Sequence, residues 1–353
     1  MGLIYHGSQI PNLKELRIHG STHGNYVYAT KNKGIAILFS NHIFNDSLLT
    51  ISRNEETVPY ELIERVPGVF DKAFNKDSTI YTVDDETFKD IHTGFDEVVS
   101  DVNVPIINEE HIDNIYDEIK KLEEQGIFKL YKYPNKPKNI PTDDSDLLQK
   151  EIDQIERTGR QVNNESFDRL ILLHPGLLPV INNYIIDNNL EIDLLKKQDI
   201  ITIFGKYLSY QMIKPDMRFN LDFSIKMIAN TYPELNSNIQ NMLQVLNASK
   251  ENKISFMLNT LSSNLDMDSK MILVEQSKKY LNDERSISQI GEEINKTCKN
   301  LRNISKEKNR ELKEHQLGSV RIQVLVKDGF VNILSLLVIS ILFFIGILFI
   351  LKK

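Results

Sequence analysis

The amino-acid sequence predicts an α+β domain, followed by an all-α domain and a single C-terminal transmembrane helix. Short β-rich segments separated by turns fill residues 1–133. Apolar residues recur at helical spacing over 147–313, and residues 329–351 contain no charged side chain. Residues 134–146, with three prolines and no periodic pattern, are predicted to be a linker. Residues 314–328 are the predicted juxtamembrane segment.

The N-terminal segments combine strand and helix signals. Strands are predicted where Ile, Val, Tyr and Phe are concentrated, in LIYHGS, YVYAT, STIYTVD, DEVVSDVNVPII and IFKLYKY. Helices are predicted at Lys33–His42, Glu61–Phe74 and Glu109–Gln125. The last of these has isoleucines at helical spacing and Gly126 as its stop signal. The sequence therefore predicts a mixed sheet-and-helix domain.

In the C-terminal half the strand signal fades and apolar stripes predict helices. These stripes cover Phe167–Asn189, Ile200–Ile213, Phe223–Asn230, Ser237–Leu246 and Met271–Leu281, after a first stripe at Leu148, Ile152 and Ile155. The clearest helix begins at Ser286, a candidate N-cap with Gln289 three residues further on. Its apolar residues recur about every 3.5 positions. This spacing fits a short coiled coil over Ser286–Leu312 that binds a protein partner, and it equally fits an edge helix of the bundle.

The run from Gly329 to Leu351 predicts a membrane anchor. About twenty apolar residues in a helix span the ~30 Å hydrocarbon core, and a helix satisfies its own backbone there. Asn332, Ser335 and Ser340 are its strongly polar residues. The N-terminus has no basic segment followed by an apolar stretch and a cleavage site, which predicts no secretory signal. We therefore expect a single-pass, tail-anchored membrane protein with cytoplasmic N-terminal domains and a C-terminal helix in contact with membrane lipid.

Composition argues against several classes of function. The net charge of −7 disfavours a general nucleic-acid binder, because phosphate contacts need a basic surface. The single cysteine, Cys298, excludes an intrachain disulfide and a cysteine-based metal cluster. The sequence has no phosphate-binding G-x-x-x-x-G-K-[ST] loop, no H-E-x-x-H zinc motif and no G-x-S-x-G nucleophile motif. No metal site is predicted.

Three short segments of the N-terminal domain contain the candidate catalytic and binding residues. LIYHGS, YVYAT and FDEVVSD resemble, in this order, the three signature strands of the ADP-ribosyltransferase fold. The similarity is to the branch with a His-Tyr-Glu constellation, which includes diphtheria-toxin-like enzymes and the poly(ADP-ribose) polymerases. The resemblance covers about residues 3–125 and implies a split sheet, NAD as substrate and mono-ADP-ribosyl transfer. It implies that His6, Tyr28 and Glu97 are catalytic, and that NAD is bound by His6, Gly7, Ser8, Tyr28, Ala29 and Thr30.

These residue types suit the reaction. Transfer of ADP-ribose breaks the bond between nicotinamide and the anomeric carbon of ribose, through an oxocarbenium-like transition state similar to that of glycoside cleavage. Glu97 is expected to stabilise the developing positive charge. His6 is expected to hold a ribose hydroxyl, and Tyr28 to stack on nicotinamide. Gly7 has no side chain, so backbone groups are expected to approach the carboxamide closely.

Two further predictions concern the rim of this pocket. Tyr60 or Tyr81 is a candidate for the wall opposite Tyr28. The loop HGSTHGN, with His19 and His23, is predicted to cover the pocket in preference to binding a metal. The alternative function is a non-catalytic ADP-ribosyltransferase-fold binding module on a helical, membrane-anchored scaffold, because function resides in the site and not in the fold.

Overall fold

The structure is a computed structural model and describes residues 2–21, 24–41, 46–52, 59–92, 96–215, 221–281, 283–308 and 310. The protein is α+β, with an N-terminal sheet domain and a helical domain, as the sequence predicts. Two compact units are distinguished. The first unit contains the described residues within 1–204 and 218–241, and the second unit contains those within 205–217 and 242–353.

The strands of the described residues all lie in the first unit. In chain order they are β1 (Leu3–Ser8), β2 (Glu15–Leu16), β3 (His19–Ser21), β4 (Gly24–Thr30), β5 (Leu49–Ser52), β6 (Tyr60–Glu64), β7 (Ser78–Asp84), β8 (Glu97–Ser100), β9 (Val104–Pro105), β10 (Asn108–Ile112) and β11 (Phe128–Tyr131). The largest sheet has the order β10-β7-β1-β4-β3, and β8 also pairs with β4. A second sheet has the order β11-β6-β5, and β2 pairs with β9.

The first three α-helices lie between strands of the N-terminal region, and the later ones follow β11 without further strands among the described residues. They are α1 (Lys33–Phe39), α2 (Val69–Phe74), α3 (Ile115–Glu124), α4 (Asp146–Arg157), α5 (Asp168–Leu173), α6 (Leu178–Asp187), α7 (Lys197–Ile213), α8 (Leu221–Thr231), α9 (Asn236–Leu243), α10 (Lys250–Leu261) and α11 (Met267–Leu281). Residues 287–308 are also helical.

The largest sheet buries apolar side chains at alternate positions, as expected for strands with a period of two. Val27 and Ala29 of β4 pack with Ile4, Val83 and Val98 from the neighbouring strands in one core cluster. Helix α1 packs close to β1, and its N-cap residue Asn32 accepts a hydrogen bond from the backbone N–H of Gly34 at 2.9 Å. The apolar sequence between Gly34 and Leu38 is buried. Burial of this apolar surface holds the helix against the sheet.

Two predicted helices begin later than the sequence pattern suggests. Within Glu61–Phe74, β6 occupies the first residues, and α2 begins after Gly68, whose φ of 87° is a left-handed conformation that suits glycine. Within Glu109–Gln125, β10 precedes α3. The Asn114 side chain caps α3 by accepting a hydrogen bond from Asp117 N–H at 3.1 Å. In both segments, pairing with a neighbouring strand overrides the helical signal.

The second unit has its own core, formed by α10, α11 and residues 287–308. The predicted capping box is confirmed: Ser286 N–H donates to Gln289 Oε1 at 3.1 Å, and Gln289 N–H donates to Ser286 Oγ at 3.3 Å. Ile290, Ile294 and Cys298 are buried in this core. The apolar stripe therefore packs as an edge helix within its unit, and Leu312 lies outside the described residues.

The segment predicted as a linker contacts a buried arginine. Arg65 follows β6, and its side chain is fully buried. Its guanidinium donates to Thr50 Oγ1 at 2.8 Å, to Asp144 Oδ1 at 2.7 Å and to Asp146. Lys136 Nζ also lies 2.7 Å from Asp144 Oδ1. Residues on both sides of the prolines thus belong to one charge cluster in the first unit.

His174 extends this cluster. It is 2% exposed, and its Nε2 lies 2.6 Å from the carbonyl oxygen of Ser47. A carbonyl oxygen accepts hydrogen bonds only, so Nε2 carries a proton. Its Nδ1 lies 3.7 Å from Asp144 Oδ2. Burial by itself raises the pKa of Asp144, but the interactions with His174 and Lys136 outweigh it and hold that pKa at about 2.

Within the ranges that the structure describes, no helix is both long and apolar enough to cross a membrane. The predicted span at 329–351 and the predicted juxtamembrane segment at 314–328 lie outside these ranges.

Asp144→Asn is expected to destabilise the protein by about 3 kcal/mol at neutral pH, because it leaves Arg65 with one buried carboxylate fewer. Since the pKa of Asp144 is about 2 when folded against an ordinary 3.8, its contribution is present above about pH 4 and is lost as pH falls towards 2. Urea unfolding followed by circular dichroism measures both effects. The exposed neighbour is the control: Asp143→Asn should have little effect. Equal losses for the two variants would contradict the prediction.

Candidate functional site

The three motif segments lie on adjacent strands, in the order β1, β4, β8. The strands β1 and β4 are antiparallel with Tyr5 opposite Thr30. On the other edge of β4, Thr30 lies opposite Glu97, and Tyr28 lies opposite Val99. Residues as far apart in the sequence as His6 and Glu97 are therefore brought to one region of the sheet.

His6 is bonded to the backbone of Tyr28. Its Nδ1 lies 2.7 Å from the Tyr28 carbonyl oxygen. Because this oxygen can only accept, Nδ1 carries the proton, and in the neutral ring Nε2 is then the acceptor nitrogen. Continuation of the register from Tyr5 and Thr30 would place Gly7 opposite Tyr28. Among the described residues, however, the two strands pair at Tyr5 and Thr30 alone, and the His6 ring contacts the carbonyl instead.

Side-chain alternation groups these residues by sheet face. Tyr28, Thr30 and Glu97 share one face, since each is opposite or two residues from the others in the register. The same alternation assigns His6 to the other face, with its cross-strand partner Tyr81. The structure therefore brings Tyr28 and Glu97 together on one face and joins His6 to Tyr28 through the backbone. It places no direct contact between His6 and Glu97 on this face.

The Tyr28 side chain belongs to an aromatic cluster. Its ring centroid lies 5.6 Å from that of His19 and 6.1 Å from that of Tyr26, the latter pair meeting edge to face. Its hydroxyl donates to the Gly24 carbonyl oxygen at 3.3 Å. The segment predicted as a loop over the pocket contains β3, which pairs with β4 and places His19 beside Tyr28, while His23 lies outside the described residues.

Glu97 is half-buried at the first position of β8. The preceding residue, Asp96, has a φ of 53° and fixes the start of this strand through two bonds. Its carbonyl accepts from Lys31 N–H at 3.2 Å, and its Oδ2 accepts from the Tyr60 hydroxyl at 3.0 Å. Sequence reasoning missed Asp96, because nothing in FDEVVSD distinguishes this acid from a solvent-facing residue.

The remaining predicted NAD contacts have local structural partners. Ser8 Oγ accepts from Ile10 N–H at 3.1 Å, and Thr30 Oγ1 accepts from Asn32 N–H at 3.2 Å. Ala29 is 5% exposed, and its methyl group packs in the core cluster. The side chains of Ala29 and Thr30 thus have structural roles. Because the Ala29 methyl group is buried, only the backbone of this residue could contact a ligand.

Gly7 is required for the approach of α1. A side-chain carbon at this position would overlap the carbonyl oxygen of Ala36 and lie 2.8 Å from Ser40 Cβ. The absence of a side chain, which the sequence analysis related to the nicotinamide carboxamide, thus serves helix packing in this structure.

The two candidate wall residues differ. Tyr81 is fully buried, and its hydroxyl donates to the Ile10 carbonyl at 2.8 Å and accepts from Leu13 N–H at 3.1 Å. Burial raises the pKa of Tyr81. It lies on the face of His6 and belongs to the core. Tyr60 is the residue connected to the Glu97 end of the sheet, through its bond to Asp96.

No protein-family profile matches the sequence, and neither curated proteins nor solved structures include a significant match to it.

Gly7→Ala is expected to destabilise the protein by about 2 kcal/mol or more, because the new methyl group meets backbone that has no room to move. Thermal unfolding followed by circular dichroism measures the loss. Gly176→Ala is the matched control, since a side-chain carbon there has nothing within 4 Å. A Gly7→Ala protein as stable as the control would show that α1 is not packed closely on β1.

Proposed function

We propose that the chain is a membrane-tethered, cytoplasmic mono-ADP-ribosyltransferase-like enzyme that transfers ADP-ribose from NAD to an acceptor. The observation that carries the proposal is the pairing of β4 with β8, which places Tyr28 and Glu97 on one face of the sheet. The His6 Nδ1 bond to the Tyr28 carbonyl joins β1 to the same strand. This bond joins the first two motif segments, but side-chain alternation leaves His6 on the sheet face opposite Tyr28 and Glu97, which argues against one cleft formed by all three side chains. The fold-level resemblance adds to this local geometry and does not replace it.

His6 has the hydrogen-bonding character that binding of a ribose requires. With Nδ1 donating to Tyr28, Nε2 of the neutral ring is an acceptor nitrogen, and the proposal assigns it a ribose hydroxyl reached from the sheet face opposite Glu97. The backbone bond also fixes the orientation of the ring, so less side-chain entropy is lost when NAD binds. His6 is thus a binding and positioning group, and the proposal gives it no role in proton transfer.

Glu97 supplies the charge that the reaction needs. The carbon–nitrogen bond to nicotinamide breaks with its electron pair, so neutral nicotinamide leaves and positive charge develops on the ribose. A carboxylate near this carbon stabilises the transition state more than the ground state. An acceptor nucleophile then bonds to the anomeric carbon and loses its proton. Tyr28, on the face of Glu97, supplies an aromatic surface for the nicotinamide ring.

Asp96 and Tyr60 position Glu97. The hydrogen bonds from Lys31 N–H and from the Tyr60 hydroxyl fix Asp96, the residue immediately before β8. The residue that follows is Glu97, so its backbone has little freedom. Preorganised carboxylates are worth more in catalysis than mobile ones, because no reorganisation accompanies the reaction.

The alternative, a non-catalytic binding module on a membrane-anchored scaffold, has observations in its favour. The space beside Gly7 is filled by Ala36 and Ser40 of the α1 region, and the Tyr28 hydroxyl is bonded to Gly24 on its own strand. Both functions use the same anchor, which we propose for residues 329–351 on their uncharged, apolar sequence. Turnover of NAD separates the two.

Glu97→Gln is expected to lower nicotinamide release from NAD by roughly 10²–10³-fold, because it removes the charge and keeps the size of the side chain. Tyr28→Ala is expected to raise the Kd for NAD first, since stacking stabilises the ground state as well. Chromatography of nicotinamide and calorimetric NAD titration, on the full chain in detergent, measure the two effects.

Glu124→Gln, at an exposed position of α3, is the control for the loss of one charge. Equal small losses for Glu97→Gln and Tyr28→Ala, in proteins that remain folded, would favour the scaffold function. Binding of NAD without any release of nicotinamide would do the same.

Truncation after residue 328 is expected to release the protein from membranes, because the uncharged apolar run is then lost. Alkaline extraction followed by flotation compares the truncated and full chains. Alkali-resistant association of the truncated chain would contradict the proposed anchor.

A further inference from the structure

The exposed apolar side chains of the second unit are concentrated on two neighbouring helices. In α11, the exposed fractions of Met267, Met271, Ile272 and Val274 are 72%, 61%, 44% and 66%. In the helix of residues 287–308, Ile304 is 60% exposed. We call Met267, Met271 and Val274 the α11 patch, because their spacing places them on one side of the helix. Exposed apolar groups gathered in this way mark an interaction surface, whereas scattered ones are ordinary.

The patch lies on the outer side of a helix whose inner side is already packed. Met267, Met271 and Val274 are four and three residues apart, so they share one side of α11. Leu273 and Tyr280 lie on the other side, buried in the core of the second unit. The core therefore does not explain the outer apolar residues.

Contacts between the two helices locate the patch within the second unit. Near the end of α11, Lys279 Nζ lies 2.8 Å from Glu293 Oε1. Before its start, Asp266 is hydrogen-bonded to the side chain of Ser305 and attracted by Lys308, and these interactions lower the pKa of Asp266. The helices are therefore antiparallel, and the start of α11 lies beside the last residues of the helix of 287–308. This is the end from which the chain continues towards the proposed anchor.

The connection to the anchor is short. Residues 311–328 separate the last described residue from Gly329, and a chain of this length spans at most about 60 Å when fully extended. If residues 329–351 span the bilayer, the α11 patch is held near its surface. Tethering of this kind raises the effective concentration of the surface, so a weak contact becomes significant.

Charge favours a lipid surface over a protein partner. Residues 296–310 contain six basic residues, and Glu307 is their single acid. Lys270 and Lys278 of α11 lie on or beside the patch, together with the acids Asp268 and Glu275. Anionic leaflets attract basic residues near their surface, and apolar side chains insert at the boundary of the headgroups. Protein interfaces, by contrast, are depleted in lysine.

We propose that the α11 patch docks on the surface of the anionic membrane that anchors the chain. Met267, Met271 and Val274 insert between lipid headgroups, and the neighbouring lysines contact lipid phosphates. The inference rests on the anchor in the proposed function and is independent of ADP-ribosyl transfer.

The test uses the full chain in vesicles of phosphatidylcholine and phosphatidylserine. Burial raises the pKa of the single cysteine, Cys298, to about 11, so this thiol does not compete for labelling. An environment-sensitive nitrobenzoxadiazole label is attached at Met271→Cys. Ser255→Cys, an exposed position of α10 outside the patch, is the matched control. We expect blue-shifted emission and quenching by spin-labelled lipid for the label at 271 and not at 255, with a smaller shift in phosphatidylcholine alone.

Alkali-resistant flotation of the same vesicles reports the anchor separately. Flotation without lipid quenching at position 271 would overturn the docking proposal and leave the anchor intact. A blue shift that lipid quenchers do not affect would indicate contact with protein, such as a second copy, and would also overturn it. Failure to float would overturn the anchor and the docking together, whereas NAD turnover in detergent is unaffected by either result.

Discussion

The buried guanidinium of Arg65 is the constraint on which the first unit depends. A buried cation costs several kcal/mol unless carboxylates compensate it. Asp144 and Asp146 do so from the far side of the proline-containing segment. The sheet that contains β6 therefore needs residues 79 and 81 positions later in the chain. This requirement explains why the first unit continues beyond the prolines.

The same strand connects this cluster with the candidate site. β6 begins at Tyr60, whose hydroxyl bonds to Asp96, and it ends immediately before Arg65. Near its end, the buried carboxylate of Glu64 accepts from Phe70 N–H at 3.0 Å and from Tyr133 N–H at 2.9 Å. Polar bonds at both ends thus fix the strand. Loss of charge compensation at Arg65 is expected to reach Glu97 through this strand, because Asp96 depends on the position of Tyr60.

The sequence predicted the α+β organisation and the capping box of Ser286, because these depend on local patterns. It did not predict β6 or β10, because strand pairing with distant residues decides them. It also missed Arg65 and Asp96, since nothing in ELIERVPGVF or FDEVVSD shows which charged residue is buried or bonded to a distant part of the chain. The hydrogen bond between His6 and Tyr28 could not be predicted either, because it depends on where β1 and β4 stop pairing.

His6 and Gly7, in the first motif segment, differ in how strongly they indicate function. Glycine at position 7 is explained by the packing of α1 alone, so it supports catalysis and scaffolding equally. His6 is more informative. A serine or an asparagine also donates a hydrogen bond to a carbonyl, but imidazole alone among the neutral side chains then presents a second ring nitrogen of acceptor character. The structure uses Nδ1 of His6 to fix the ring, and only the proposed function assigns a ribose hydroxyl to Nε2.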